Sequence, residues 1–98
     1  MSSIVRSQQA ESDLEEILTY LNQFSPPAAD RFAKKFESKC QLLSLFPQLG
    51  RARPEIREKL RSVVVDKYIL YYTVQGKDVC LLRVLHGKRD ASSLLKND

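Results

Sequence analysis

The amino-acid sequence predicts an α+β domain in which a helical hairpin packs on a small antiparallel sheet, in the order strand-helix-helix-strand-strand-strand. Three observations predict it. Apolar residues recur at three- and four-residue spacing through the first half of the chain. The second half instead carries short β-branched and aromatic runs split by turn residues. Only Phe24-Ser25-Pro26-Pro27 separates the two helical stretches, a link so short that the helices must lie antiparallel. With 98 residues the chain supports one core, so a single domain over residues 1–98 is expected.

Residues 3–6 are extended at best, and Ser7 is the expected N-cap of the first helix, its hydroxyl accepting from the free amides of the first turn. Ala10, Leu14, Ile17, Leu18 and Leu21 then fall on one helical face. Glu11, Asp13, Glu15 and Glu16 crowd the early turns, where the helix dipole favours negative charge. Ser25 caps the second helix, with Pro26 at its first position, where a missing amide costs nothing. Its apolar stripe is Ala29, Phe32, Ala33, Phe36, Cys40 and Leu43, and the helix should run to about Phe46 before Pro47 stops it.

Residues 47–59 read as an irregular basic segment, with room for one helical turn after Pro54. Leu60–Val65, Tyr68–Val74 and Val79–Leu85 follow as a three-strand meander, broken by Asp66-Lys67 and by Gln75-Gly76-Lys77-Asp78. Strict alternation would send Tyr68, Leu70, Tyr72 and Val74 to one face and Ile69 and Tyr71 to the other. In the last strand it separates Val79, Leu81 and Leu85 from Cys80, Leu82 and Val84. Both faces are therefore apolar. The helices cover one; the other needs the segment 47–59, the C-terminal tail or a protein partner.

Composition narrows the function. At 43% hydrophobic and 29% charged residues the chain lies within globular norms. It has no membrane-length apolar run and no secretory signal pattern, so a cytoplasmic protein is expected. Cys40 and Cys80 form no CxxC and have a single histidine to join them, so buried free thiols are expected rather than a disulfide or a metal site. The net charge of +4 is uneven: residues 1–49 carry five basic and six acidic side chains, and residues 50–98 eleven and six. A basic C-terminal half suits phosphates or an acidic protein partner.

Glycine-rich phosphate loops, nucleophile elbows, zinc-ligand spacings and aromatic RNA-binding signatures are all missing from the sequence. What remains is a cluster at the end of the last strand: Arg83, then His86-Gly87-Lys88-Arg89-Asp90. Gly87 would allow a tight exit from the strand, presenting Lys88 and Arg89 beside a group that titrates near neutrality. Asp90 is placed to cap a short helix over residues 91–96 or to pair with Arg89. A lone histidine is more often structural than functional, so His86 carries both readings.

Ala10-x-x-Asp13-Leu14-x-x-Ile17, Ser25-Pro26-x-Ala28-Ala29-x-Arg31-Phe32, Leu49-Gly50-Arg51-x-Arg53-Pro54-Glu55, Leu60-Arg61-Ser62, Tyr68-Ile69-Leu70-Tyr71-Tyr72 and Leu82-Arg83-Val84-Leu85-His86-Gly87-x-Arg89-Asp90 together resemble the RelE/ParE superfamily of toxins, ParE type. The resemblance spans residues 4–90, and the superfamily fold has the element order derived above. It implies the toxin half of a type II toxin-antitoxin (plasmid stabilisation) module, neutralised by a cognate antitoxin whose C-terminal segment wraps the toxin. ParE-like members poison DNA gyrase, whereas RelE-like members cut mRNA in the ribosome. The nucleases place an arginine where this chain has Ile69, and RelE its tyrosine where this chain has Leu95. The resemblance therefore implies gyrase as target, and the clustering of Arg83, His86, Lys88 and Arg89 at one strand end makes them the expected toxic surface. The alternative is a ribosome-dependent RNase using Arg61, His86 and Arg89. No cofactor or metal is implied. A homodimer or a hetero-oligomer with the antitoxin is compatible with the resemblance.

Overall fold

The computed structural model describes residues 4–95, and its elements follow the predicted order with two additions. They are β1 (Ile4–Arg6), α1 (Gln8–Phe24), α2 (Pro26–Leu45), β2 (Arg51–Ala52), β3 (Arg61–Val65), β4 (Tyr68–Gln75), β5 (Asp78–His86) and α3 (Ala91–Leu95). Both helix starts are capped as the sequence indicates. Ser7 Oγ accepts from the Ala10 amide at 3.0 Å, and Ser25 Oγ from the Ala28 amide at 3.3 Å, with Pro26 opening α2. Ser3 and Lys96, at the ends of two predicted segments, lie outside the described residues.

The sheet runs β1-β5-β4-β3-β2. The meander β3-β4-β5 is antiparallel as expected, and the two-residue β2 extends it antiparallel at Arg51–Ser62 and Ala52–Arg61. Yet the sheet as a whole is mixed, because β1 pairs with β5 in parallel, Ile4 opposite Val79. Ser7 ties this junction: its amide donates to Leu81 O at 2.9 Å and its hydroxyl to Leu82 O at 2.8 Å. A parallel neighbour requires a long crossover, and here the helical hairpin and the meander supply it.

Two apolar clusters lie on opposite faces. On the helix side, Ala10, Leu14, Ile17, Phe32, Phe36, Cys40 and Leu43 pack on Leu70, Tyr72, Val79, Leu81 and Val84. On the other side, Ile56 of the irregular segment, Leu60 just before β3, and Ala91 and Leu95 of the tail cover Tyr71 and Leu85, with Ile69 and Leu82 partly buried against them. The chain thus covers its own second face. Of the coverings the sequence left open, this is the segment-and-tail alternative.

β4 alternates as predicted, but β5 does not. Tyr71 pairs with Arg83 and Tyr72 with Leu81, so Leu82 is an extra residue, a β-bulge. The bulge reverses the phase of everything after it. Val84 joins Val79 and Leu81 under the helices, and Leu85 goes to the opposite cluster, correcting the strict alternation expected from sequence. Cys40 is buried as expected, whereas Cys80, near the β1 edge, is only half-buried; both thiols are free. Among the described residues no helix is long and apolar enough to cross a membrane.

Candidate functional site at the end of the last strand

Arg83 turns toward α1, where its Nε and Nη2 donate to the two carboxylate oxygens of Asp13 at 2.8 and 3.0 Å. Asp13 Oδ2 also accepts from the Val84 amide at 3.0 Å, so one carboxylate holds both side chain and backbone of β5 beside the bulge. Both partners are largely buried, and the Asp13 hydrogen bond drives the Arg83 pKa further above its ordinary value. Arg83 therefore works as a clamp between sheet and helix. It also lines a small cleft together with Arg89.

His86 ends β5 opposite Tyr68 of β4. Its ring stands edge-on to Tyr68, centroids 5.4 Å apart, and Tyr68 in turn meets Phe32 of α2 edge-on at 5.1 Å. This aromatic stack joins the core to the surface. His86 Nδ1 accepts from the Lys88 amide at 3.1 Å, which leaves Nε2 to carry the ring proton of the neutral form. The Arg89 amide donates to His86 O at 2.9 Å and the Gly87 amide to Lys67 O at 2.9 Å, closing the turn against the β3–β4 hairpin.

Gly87 has an ordinary negative φ, and a Cβ there would meet its nearest neighbour at 3.4 Å, so the turn does not depend on glycine as the sequence suggested. Lys88 and Arg89 are exposed on it. Asp90 caps α3 as anticipated, its Oδ1 accepting from the Ser92 amide at 3.1 Å. A cleft of about 800 Å³ opens beside the turn, with Glu16, Tyr20, Arg31, Lys67, Tyr68 and His86 among its walls. Sequence reasoning missed Tyr20 and Arg31, because only the hairpin's closure brings residues so distant in the chain beside His86. Tyr68 was traceable, since the meander register pairs it with the strand end.

The residues named for RNA cleavage are not assembled. Arg61 pairs with Tyr72 and His86 with Tyr68, on opposite sides of β4 and four residues apart along it, roughly 13 Å in an extended strand. Arg61 Nη1 is engaged by Gly50 O at 2.6 Å and Gln48 O at 3.3 Å, bracing the segment before β2. Ile69 and Leu95 belong to the second apolar cluster, and Leu95 is 4% exposed. Among the described residues no group of three or more His, Cys, Asp or Glu side chains could hold a metal ion.

Comparison with known proteins accords with this architecture. The family model described as the ParE toxin of the type II toxin-antitoxin system parDE matches residues 4–91. Toxin ParE3 of Caulobacter vibrioides is 29% identical over 96 residues, 97% of this chain and 96% of that one. Toxin RelE2 of the same organism is 36% identical over 90 residues, covering 91% and 99%. A solved chain of the chromosomal ParDE system from P. aeruginosa superposes with a TM-score of 0.72 at 21% identity, over 88% of this chain and 96% of that one, a likeness of fold.

Proposed function

The chain belongs to the ParE toxin family of type II toxin-antitoxin systems, and from that premise we propose that it is a gyrase-directed protein toxin rather than a ribosome-dependent RNase. The observation that carries this reading is the packing of the buried Leu95 and the partly buried Ile69 in one apolar cluster, where the superfamily's nucleases carry an arginine and, in RelE, a tyrosine. Cleavage by a 2'-hydroxyl needs preorganised cations around the pentacovalent phosphate, and losing one such donor costs about 3 kcal/mol, or roughly a hundredfold in rate. The separation of Arg61 from His86 removes a second requirement, common alignment.

In this reading His86, Lys88 and Arg89 form the toxic surface: an exposed turn, braced by the Tyr68 stack, whose cations act on a protein-DNA target through charge. The toxin acts in the cytoplasm and a cognate antitoxin neutralises it. The relative named RelE2 keeps the ribosome-dependent nuclease as the second reading. The test sets purified protein beside the His86→Ala/Lys88→Ala/Arg89→Ala variant, in gyrase supercoiling and in mRNA cleavage on programmed ribosomes. Wild type should inhibit supercoiling and leave mRNA intact. The triple variant should lose gyrase inhibition and growth inhibition, with Tm moved by less than about 5 °C, the equivalent of roughly 1 kcal/mol in a domain of this size. Undiminished killing by the folded variant rejects the surface.

A further inference from the structure

The cleft beside His86 draws its walls from four parts of the chain: Glu16 and Tyr20 of α1, Arg31 of α2, Lys67 and Tyr68 at the β3–β4 turn, and His86 itself. At about 800 Å³ it has the size of a small-molecule site. Its aromatic side chains are not consumed by the fold. Tyr20 remains 55% exposed, leaning on the still more exposed Phe24 with ring centroids 4.9 Å apart, and neither residue belongs to either apolar cluster. Tyr68 is held from behind by Phe32 and His86. Burial, and after it the neighbouring Tyr20, pushes the Tyr68 phenol above its ordinary pKa, as expected of two rings that share one cleft.

The charges around these rings are also unspent. Arg31 and Lys67 are exposed and have no ion-pair partner among the described residues. Of the two carboxylates in the walls, Asp66 is engaged by Lys35 at 2.8 Å, whereas Glu16 has no ion-pair partner among the described residues. The cleft therefore combines two open tyrosine rings, two unpaired cations and one unpaired carboxylate. Each has a counterpart in a nucleotide. A base stacks on aromatic rings, a phosphate takes charge-assisted hydrogen bonds from Arg and Lys, and a carboxylate, which only accepts, selects a base edge that donates.

We infer that this cleft takes one unstacked guanine nucleotide, with its base against Tyr20 and Tyr68, its donor edge on Glu16 and its 5'-phosphate on Arg31 and Lys67. Guanine is selected because its ring N–H and exocyclic amine lie side by side, two donors for one carboxylate. Thymine flanks its single N–H with two carbonyls, and adenine and cytosine set a ring nitrogen acceptor beside their amine, so each turns a lone pair toward Glu16. An acidic peptide would meet the cations but would bring its carboxylates against Glu16 and leave the tyrosine rings without a stacking partner. A second copy of this chain is disfavoured, because a two-fold contact here would carry Arg31 and Lys67 on both of its sides. The site rests on its own geometry; that single-stranded DNA in the target complex supplies the nucleotide rests on the function proposed above.

The test is titration of the intact 15N-labelled chain with dGMP and, separately, dTMP. Amide signals of Glu16, Tyr20, Arg31, Lys67 and Tyr68 should shift, and dGMP should bind at least about fivefold more tightly, the discrimination expected of one bidentate base contact. Tyr20→Ala should weaken both nucleotides about tenfold, and Arg31→Ala/Lys67→Ala about tenfold or more. Glu16→Gln should erase the preference for dGMP without weakening dTMP, whereas a merely structural Glu16 would weaken both alike. The site is rejected if the signals stay unmoved at millimolar dGMP, if Glu16→Gln lowers both affinities equally, or if inorganic phosphate binds as tightly as dGMP, the mark of an anion patch. It is rejected too if a polyglutamate peptide displaces dGMP at a lower concentration, or if the signals move with protein concentration alone. A 5'-phosphorylated trideoxynucleotide beginning with guanine should bind more tightly than dGMP; tighter binding of the matching ribonucleotide would reject DNA as the source. No gyrase is present in this titration, so its failure is distinguishable from failure of the proposed target, which the supercoiling assay reads on its own.

Discussion

Arg83 shows how a residue's role turns on one neighbour. By sequence it belongs with the cations that follow it; in the fold it answers Asp13, seventy positions earlier, across a largely buried pair. Asp13→Ala would leave a guanidinium and the Val84 amide without their acceptor, and should destabilise the chain by about 3 kcal/mol in urea unfolding. Lys88→Ala, on the exposed turn, should stay within about 0.5 kcal/mol. Cys40 offers a pH-dependent test. Burial pushes its thiol up to about 11 from 9.0, against a smaller lowering by Arg6. Its folded pKa is the higher, so its contribution is fully present below pH 9 and is lost as pH rises toward 11. Wild type should therefore lose up to ~3 kcal/mol more than Cys40→Ala between pH 8 and 11, read from urea midpoints. An equal alkaline loss in both proteins would show that Cys40 is not the titrating group.

At the scale of elements, the helices were legible almost to the residue, because caps and periodicity are local signals: Ser7, Ser25, Pro26 and the two apolar stripes sit where the sequence put them. The meander was equally legible, since each strand ends at its own turn residues. The Leu82 bulge was not, because an extra residue in an apolar run leaves composition unchanged and is visible only against the register of β4. Gly50 is another tertiary effect. Its amide donates to the Tyr72 hydroxyl at 2.7 Å, and that hydroxyl donates to Pro47 O at 2.8 Å, pinning the end of the α2–β2 link over the core. A Cβ at Gly50 would come within 2.5 Å of the Tyr72 oxygen and 2.9 Å of Ser62 O. Gly50→Ala should thus cost about 2 kcal/mol or more, and Tyr72→Phe, which removes both hydrogen bonds from a buried site, about 1–3 kcal/mol. Gly87→Ala, in ordinary contact only, should be tolerated; comparable loss at both glycines would refute the packing argument.

Across the whole molecule, the sequence made both sheet faces apolar and left their coverings open; the fold answers with two cores, one under the hairpin and one under the chain's own segment and tail. Counting charge by halves placed the basic surplus in residues 50–98, yet Lys34, Lys35 and Lys39 share a groove on a helix of the net-acidic half. Helical spacing rather than composition gathers them. The second core, which takes in Ile69 and Leu95, bears most directly on the proposed function. The most direct measurement is incubation of the purified chain with gyrase and supercoiled plasmid, followed by quantification of linear DNA after protein removal. Accumulation of linear DNA, lost in the His86→Ala/Lys88→Ala/Arg89→Ala variant, is the predicted result; no linear DNA, together with site-specific cleavage of mRNA on programmed ribosomes, would contradict the account.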